Sequence, residues 1–247
     1  MRMFRLPGAL LALVLFLGAA FAQEVKMTAD SMEYDSASGY FTASGGVTIV
    51  REGLTATAAK AEGNMNDGRI DLIGDVRISG EWEGDKVDMK GQVFTGYLKE
   101  PTGFTLKGTV TGEWGSRSIE AEELGTRGEK FSVTGLVRYA DSSEGYSFSC
   151  RTAEGLLDGG TIVEFTGTGA FRLRSTPRKG ATTEIRGDKA VFSKARGTIV
   201  VHGNVSAVQD GRSLASESLV YFTAQNRIEA TGSPQLIFKI GEGSVKK

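Results

Sequence analysis

The chain has 247 residues, with 29 basic and 30 acidic side chains and a formal net charge of −1. So even a balance argues against a nucleic-acid partner. Thirty-four glycines against four prolines point to many short strands joined by tight turns, and the lone Cys150 excludes an internal disulfide, so stability must come from packing and strand pairing.

Basic Arg2 and Arg5 precede an apolar run from Leu6 to Phe21, which ends in Ala20-Phe21-Ala22 before polar Gln23. This order predicts a secretory signal peptide over residues 1–22, cleaved after Ala22. No cysteine follows it, which disfavours a lipoprotein anchor. Removing Arg2 and Arg5 leaves 27 basic against 30 acidic residues, and no later segment has the roughly 18 or more apolar residues of a membrane span. An uncleaved segment would instead act as an anchor helix.

From residue 41 onward, seven stretches place a glycine among apolar residues of its own parity. They run Phe41 to Ile49, Ile70 to Ile78, Phe104 to Val110, Phe131 to Tyr139, Val163 to Leu173, Ile199 to Ala207 and Ile228 to Gly232. Mostly Thr, Ser, Arg, Asp and Glu lie between, which is the period of a strand with one dry face. The aligned glycines are Gly45, Gly74, Gly108, Gly135, Gly169, Gly203 and Gly232, spaced by 29, 34, 27, 34, 34 and 29 residues. Such spacing accommodates two strands and two turns per unit. Second strands are predicted at Val87-x-Met89, Ile119-x-Ala121, Phe148-x-Cys150, Ile185 to Phe192 and Leu214 to Tyr221, with Leu54 to Ala61 also read as strand. Turn chemistry stands at Asn66-Asp67-Gly68, Glu144-Gly145, Asp158-Gly159-Gly160 and Asp210-Gly211.

A mid-strand glycine weakens a strand unless it serves a bulge, a bend or a close approach. Its recurrence predicts that every unit bends, giving a long, twisted slab or half-pipe of about seven two-strand repeats. A closed sandwich with a filled core explains the alternation equally well. Cys150, inside a strand, is expected to be a small buried hydrophobe.

The first and last units share finer detail. Ala29-Asp30, Tyr34-Asp35, Ala43-Ser44-Gly45-Gly46-Val47 and Leu54-x-Ala56 stand near the start; Gly187-Asp188, Phe192-Ser193, His202-Gly203-Asn204-Val205, Leu214-Ala215, Tyr221 and Asn226 to Pro234 stand near the end. Asp30 to Gly45 and Asp188 to Gly203 are both 15 residues apart. This resembles the OstA-like/LptA family of lipopolysaccharide-transport proteins, with the region from about Glu81 to Thr176 matching through its rhythm alone. The resemblance implies an all-β, elongated open β-jellyroll of two sheets splayed into a V, which takes acyl chains between them. It implies a periplasmic bridge carrying lipopolysaccharide or a related multi-acyl lipid to the outer membrane. Its implied partners are LptC-like and LptD-like proteins and further copies of itself, joined head to tail by edge strands. Residues 23–240 would form the jellyroll, as one unit or as tandem segments 23–110 and 111–240, with 241–247 a polar tail. A retained leader would make the chain LptC-like.

By parity, the groove candidates are Val47, Ile49, Leu72, Val76, Val110, Val137, Phe171, Val205 and Ile228. Candidate edges are Val25 and Met27 at the start and Leu236, Phe238 and Ile240 at the end. A carrier of this kind is no enzyme and has no cofactor or catalytic residue. His202, the only histidine, has outward parity, which disfavours a zinc site or Ser-His-Asp triad. The carboxylates Glu122-Glu123 and Glu81-x-Glu83 sit on polar parity or in turns. The rival readings are a structural or adhesive β-repeat and a polysaccharide-active enzyme built on such carboxylates.

Overall fold

The computed structural model describes residues 25–237 apart from 52, 83, 159–160 and 178–180. The expected leader 1–22 and tail 241–247 lie outside the described residues. The alternating stretches become strands. β1 (Lys26–Thr28) and β2 (Ser31–Asp35) are short; β3 (Tyr40–Arg51), β4 (Leu54–Asn64), β5 (Arg69–Trp82), β6 (Asp85–Tyr97), β7 (Gly103–Trp114) and β8 (Arg117–Arg127) are long. They are followed by β9 (Lys130–Asp141), β10 (Tyr146–Asp158), β11 (Thr161–Ser175), β12 (Thr183–Ser193), β13 (Thr198–Gln209) and β14 (Arg212–Phe222). Short β15 (Arg227–Thr231) and β16 (Gln235–Ile237) close the chain.

All belong to one antiparallel sheet, in which β3 to β14 follow one another as a meander. The chain is therefore all-β, as its alternation predicts. β1 and β2 lie end to end along β3, and β16 and β15 likewise along β14. Residue 110 falls inside β7, and pairing continues on both sides of it.

Local chemistry sets the turns. Asp35 Oδ1 accepts the Ala37 N–H at 2.9 Å, Asn64 Oδ1 that of Asn66 at 2.8 Å, and Asp141 Oδ1 that of Ser143 at 3.0 Å. Four residues beyond each stands a left-handed glycine, Gly39, Gly68 or Gly145. A carboxylate or amide that caps its own turn, followed by a glycine free to take positive φ, fixes hairpin length and hence register.

Each aligned glycine has φ between 74° and 83°. The residue after it is also left-handed: Gly46, Asp75, Thr109, Leu136, Ala170, Asn204 and Ser233 all have positive φ. Two successive left-handed residues break the ladder. Ser44–Lys60 pairing is followed directly by Val47–Ala58, and Arg186–Lys189 skips in the same way where β12 meets β13. Because every long strand skips near its middle, the bulges line up into a crease across the whole sheet.

Two rings show how sharply the sheet folds. Phe165 lies in register with Gly155, seven residues along β10 from Phe148, about 24 Å away on a flat strand. Their ring centroids are nevertheless 5.1 Å apart. The half of the sheet on one side of the crease thus packs face to face on the other half. One apolar cluster fills the space between, with Phe171, Leu106 and Ile185 fully buried. Burying each such side chain contributes about 1.5–3 kcal/mol.

Candidate functional site

The inward face forms a continuous apolar strip. Of the nine groove candidates, Val47, Ile49, Leu72, Val76, Val110, Val137, Phe171 and Val205 are between 0% and 2% exposed and belong to the common core. Ile228, on the last unit, is half-buried against that core. Phe41, Phe94, Phe104, Phe131, Phe148, Phe165 and Phe192 extend the strip. Stacked pairs such as Phe94–Phe104 at 6.0 Å and Phe165–Phe192 at 5.4 Å run across neighbouring strands, a favourable geometry for rings.

The crease explains the 15-residue spacing noted in the sequence. A Cβ on Gly45 would come within 2.5 Å of Asp30, and one on Gly203 within 2.4 Å of Asp188. The aspartate is the residue skipped by the ladder, and its side chain lies where a larger residue would stand. Asn204 Nδ2 adds a hydrogen bond to Asp188 Oδ2 at 2.9 Å.

Opposite the crease, the strand ends form two lips. Near the last units these lips touch. Tyr221, near one lip, donates its hydroxyl to Asn226 Oδ1 and accepts from Ser175 Oγ on the other, both at 3.0 Å. Thr183 donates to the same Asn226 Oδ1 at 3.0 Å, and Gln209 donates to Thr183 Oγ1 at 2.7 Å. This clasp was not legible in the sequence, since its members come from four strand ends and one turn.

Farther toward the middle, Asp141 ties one lip together. Its fully buried side chain accepts from Ser116 at 3.0 Å, Arg117 at 3.2 Å and Ser143 at 2.7 Å. Burial alone would raise its carboxyl, but the hydroxyls, backbone donors and Arg117 hold it below the usual carboxylate range. Burial pushes the Tyr139 phenol up to about 12 and the Cys150 thiol to about 11. Cys150 is 4% exposed, as expected of a small hydrophobe.

The residues weighed for chemistry are dispersed. His202 is exposed and 3.1 Å from Ser218 Oγ. Glu122 lies on the surface beside Gly135, while Glu123 pairs with Lys107 at 3.3 Å. Glu81 is exposed and Glu83 lies outside the described residues. Among the described residues no three His, Cys, Asp or Glu side chains form a metal-binding group, and no helix is long and apolar enough to cross a membrane.

At the edges, Met27 pairs opposite Ile49 and Leu236 opposite Leu214, while Phe238 and Ile240 lie outside the described residues. Val25 is 50% exposed and Leu236 58%. Met32 and Tyr34, opposite Ala43 and Phe41, carry the inward parity yet are also exposed, because no further unit among the described residues covers them.

A single creased antiparallel sheet with an apolar inner strip defines an all-β protein. Residues 17–81 match the family described as lipopolysaccharide-assembly, LptC-related. Among solved structures, the chain is similar to LptH, the LptA homologous periplasmic component of the conserved lipopolysaccharide transport device from Pseudomonas aeruginosa. The identity is 10% and the TM-score 0.27, covering 88% of this chain and 96% of that one. None of the curated proteins matches the sequence.

Proposed function

We propose that this chain is a periplasmic carrier that binds lipopolysaccharide, or a related multi-acyl lipid, and passes it toward the outer membrane. The observation that carries this reading is the LptC-related match over residues 17–81, whose strands begin the apolar strip. Acyl chains would lie between the two halves of the sheet, against Val47, Ile49, Val76, Val137 and Val205. Each buried methylene contributes about 0.8 kcal/mol, so a strip without polar contacts suffices for affinity. The inner residues already pack on one another, so loading requires the lips to part. Residues 23–240 act as one carrier unit after removal of the leader 1–22, and LptC-like and LptD-like proteins or further copies join its edge strands. Transport needs no bond-making chemistry in this chain.

The test is a photo-crosslinking residue at position 47 or 205, with the outward position 202 as control and mass spectrometry of the purified protein. Crosslinked lipopolysaccharide at the two inward sites and none at 202 supports the carrier. Lipid-free protein with no crosslink, even with lipopolysaccharide supplied, favours a structural β-repeat instead, a reading to which the nearly complete burial of these side chains also lends weight.

A further inference from the structure

The outer face carries a groove that the apolar strip does not explain. A hollow of about 470 Å³ crosses β8 to β12 on the wet side of the sheet. In register across it stand Glu120, Arg138, Ser149, Arg172 and Arg186. The neighbouring row toward the lip is Ser118, Ala140, Ser147, Arg174 and Glu184. Small side chains on β10 and its neighbours make the floor, and arginines make the walls. A second hollow of about 420 Å³ shares Ser118, Ala140, Ser147 and Arg174 and leads on to the lip.

Charge in this groove is unbalanced. Four arginines face two glutamates, although the whole chain is nearly neutral. Arg138 is 2.7 Å from Glu120 and Arg174 is 3.8 Å from Glu184, each pair directly opposite across the ladder. Arg172 and Arg186 instead face one another, and among the described residues neither has a carboxylate within 4.0 Å. Like charges directly opposite on neighbouring strands are destabilising, and a bound anion would reverse the sign of that interaction. Arginine presents a planar fork suited to phosphate or carboxylate, and the serine hydroxyls and glutamates suit sugar hydroxyls.

We propose that this groove binds a phosphate- or carboxylate-bearing sugar, supplied by the headgroup of the carried lipid. The source rests on the carrier reading; the anion chemistry does not. A lipid so held would have its tails inside the crease and its sugars wrapped around the lip onto the outer face. Arg172 and Arg186 supply the anion contacts, with Arg138 and Arg174 already partly neutralised.

The experiment is calorimetric titration of the full chain with deacylated lipopolysaccharide, at two salt concentrations. The double variant Arg172→Gln/Arg186→Gln is compared with the wild type and with Arg212→Gln, an exposed cation outside the groove. The expected result is at least a tenfold loss of affinity in the double variant, little change in the control, and an unchanged circular dichroism spectrum. Equal binding by wild type and double variant, or equal loss in the control, overturns the site. Competition by inorganic pyrophosphate at the affinity of the sugar overturns the headgroup as source. Intact lipopolysaccharide bound equally by all variants, with no deacylated binding, sinks the groove and leaves the carrier. Arginine-dependent binding of the deacylated form, to which acyl chains add nothing, supports the groove and sinks the carrier.

Discussion

Thr183 donates its hydroxyl to Asn226 Oδ1 at 3.0 Å, although one starts β12 and the other sits in the turn at the opposite end of β14. Only a sheet folded back on itself brings these ends together. Thr183→Val keeps the shape and removes both the donor to Asn226 and the acceptor of Gln209. The expected loss is about 0.5–1.5 kcal/mol for each of the two hydrogen bonds, with Asn226 Oδ1 keeping its bond from Tyr221. Urea denaturation measures it. If the carrier reading holds, the variant also takes up lipopolysaccharide faster than the wild type, since the lips part more readily; an unchanged rate would show that the clasp does not limit loading.

The crease predicts opposite outcomes at adjacent glycines. At Gly46, φ is 73° and nothing lies within 4 Å of where a Cβ would stand. The equivalent residue of the sixth unit is Asn204, which reaches Asp188. Asn tolerates the left-handed region, and a substituent there restricts the unfolded chain. Gly46→Asn is therefore expected to raise stability by about 0.4–1 kcal/mol. Gly45→Asn is expected to lower it by about 1–3 kcal/mol, because a Cβ there would stand 2.5 Å from the Asp30 side chain and force it to move. Paired urea melts decide, and two shifts of the same sign would refute the assignment.

The strands, the inward parity and the bend were legible because period-two alternation and an aligned glycine are local signals. The left-handed residue after each glycine was not, since Asp75, Thr109, Leu136 and Ala170 share no side-chain chemistry. The turn code was half legible: Gly68 and Gly145 stand out, but the capping roles of Asn64 and Asp141 emerge only from their standing four residues before those glycines. The clasp and the arginine groove depend on register across several strands. Alternation fixes which face Arg172 and Arg186 occupy, but their meeting depends on how the bulge shifts β11 against β12.

Stability should fall at alkaline pH. The Cys150 thiol is raised by burial to about 11 and the Tyr139 phenol to about 12, so both stay protonated in the fold. In the unfolded chain they ionise near about 8.5 and about 10. Their contribution is fully present below those unfolded values and is lost as pH rises through the folded ones. Unfolding free energy should decline from about pH 9 upward, with Cys150→Ala removing the earlier part of the slope. Thiol labelling at pH 8 should be slow in the native protein and fast in urea.

Asp141 governs the acid side. Its carboxyl is held below the usual range by Ser143, Glu144, Ser116 and Arg117 against the opposing effect of burial. A lowered pKa contributes stability above the unfolded value of about 3.9 and loses it as pH falls through the folded value. Asp141→Ala should cost about 1–3 kcal/mol at neutral pH, because Ser116 and Ser143 lose a buried acceptor while Arg117 keeps only Asp85 at 3.6 Å. Asp141→Asn should also flatten the dependence on pH below 4; an undiminished slope in that variant would assign it to other carboxylates.

The two ends of the sheet predict association. Met32 and Tyr34 at one end, and Leu236 and Ile237 at the other, are 50%, 64%, 58% and 68% exposed beside strand edges. β2 pairs only with β3, and β16 only with β14, among the described residues. Apolar residues on unpaired edges are templates for strand addition, and lysine on an edge blocks it. The native chain should form concentration-dependent oligomers in light scattering after size exclusion. Met32→Lys or Leu236→Lys should each shift that equilibrium toward monomer with little change in the urea midpoint, since both side chains are already in water. If only one end matters, the contact joins like edges and stops at a dimer; if either substitution caps growth while a mixture of the two still pairs, the contact joins unlike edges and the chain extends head to tail.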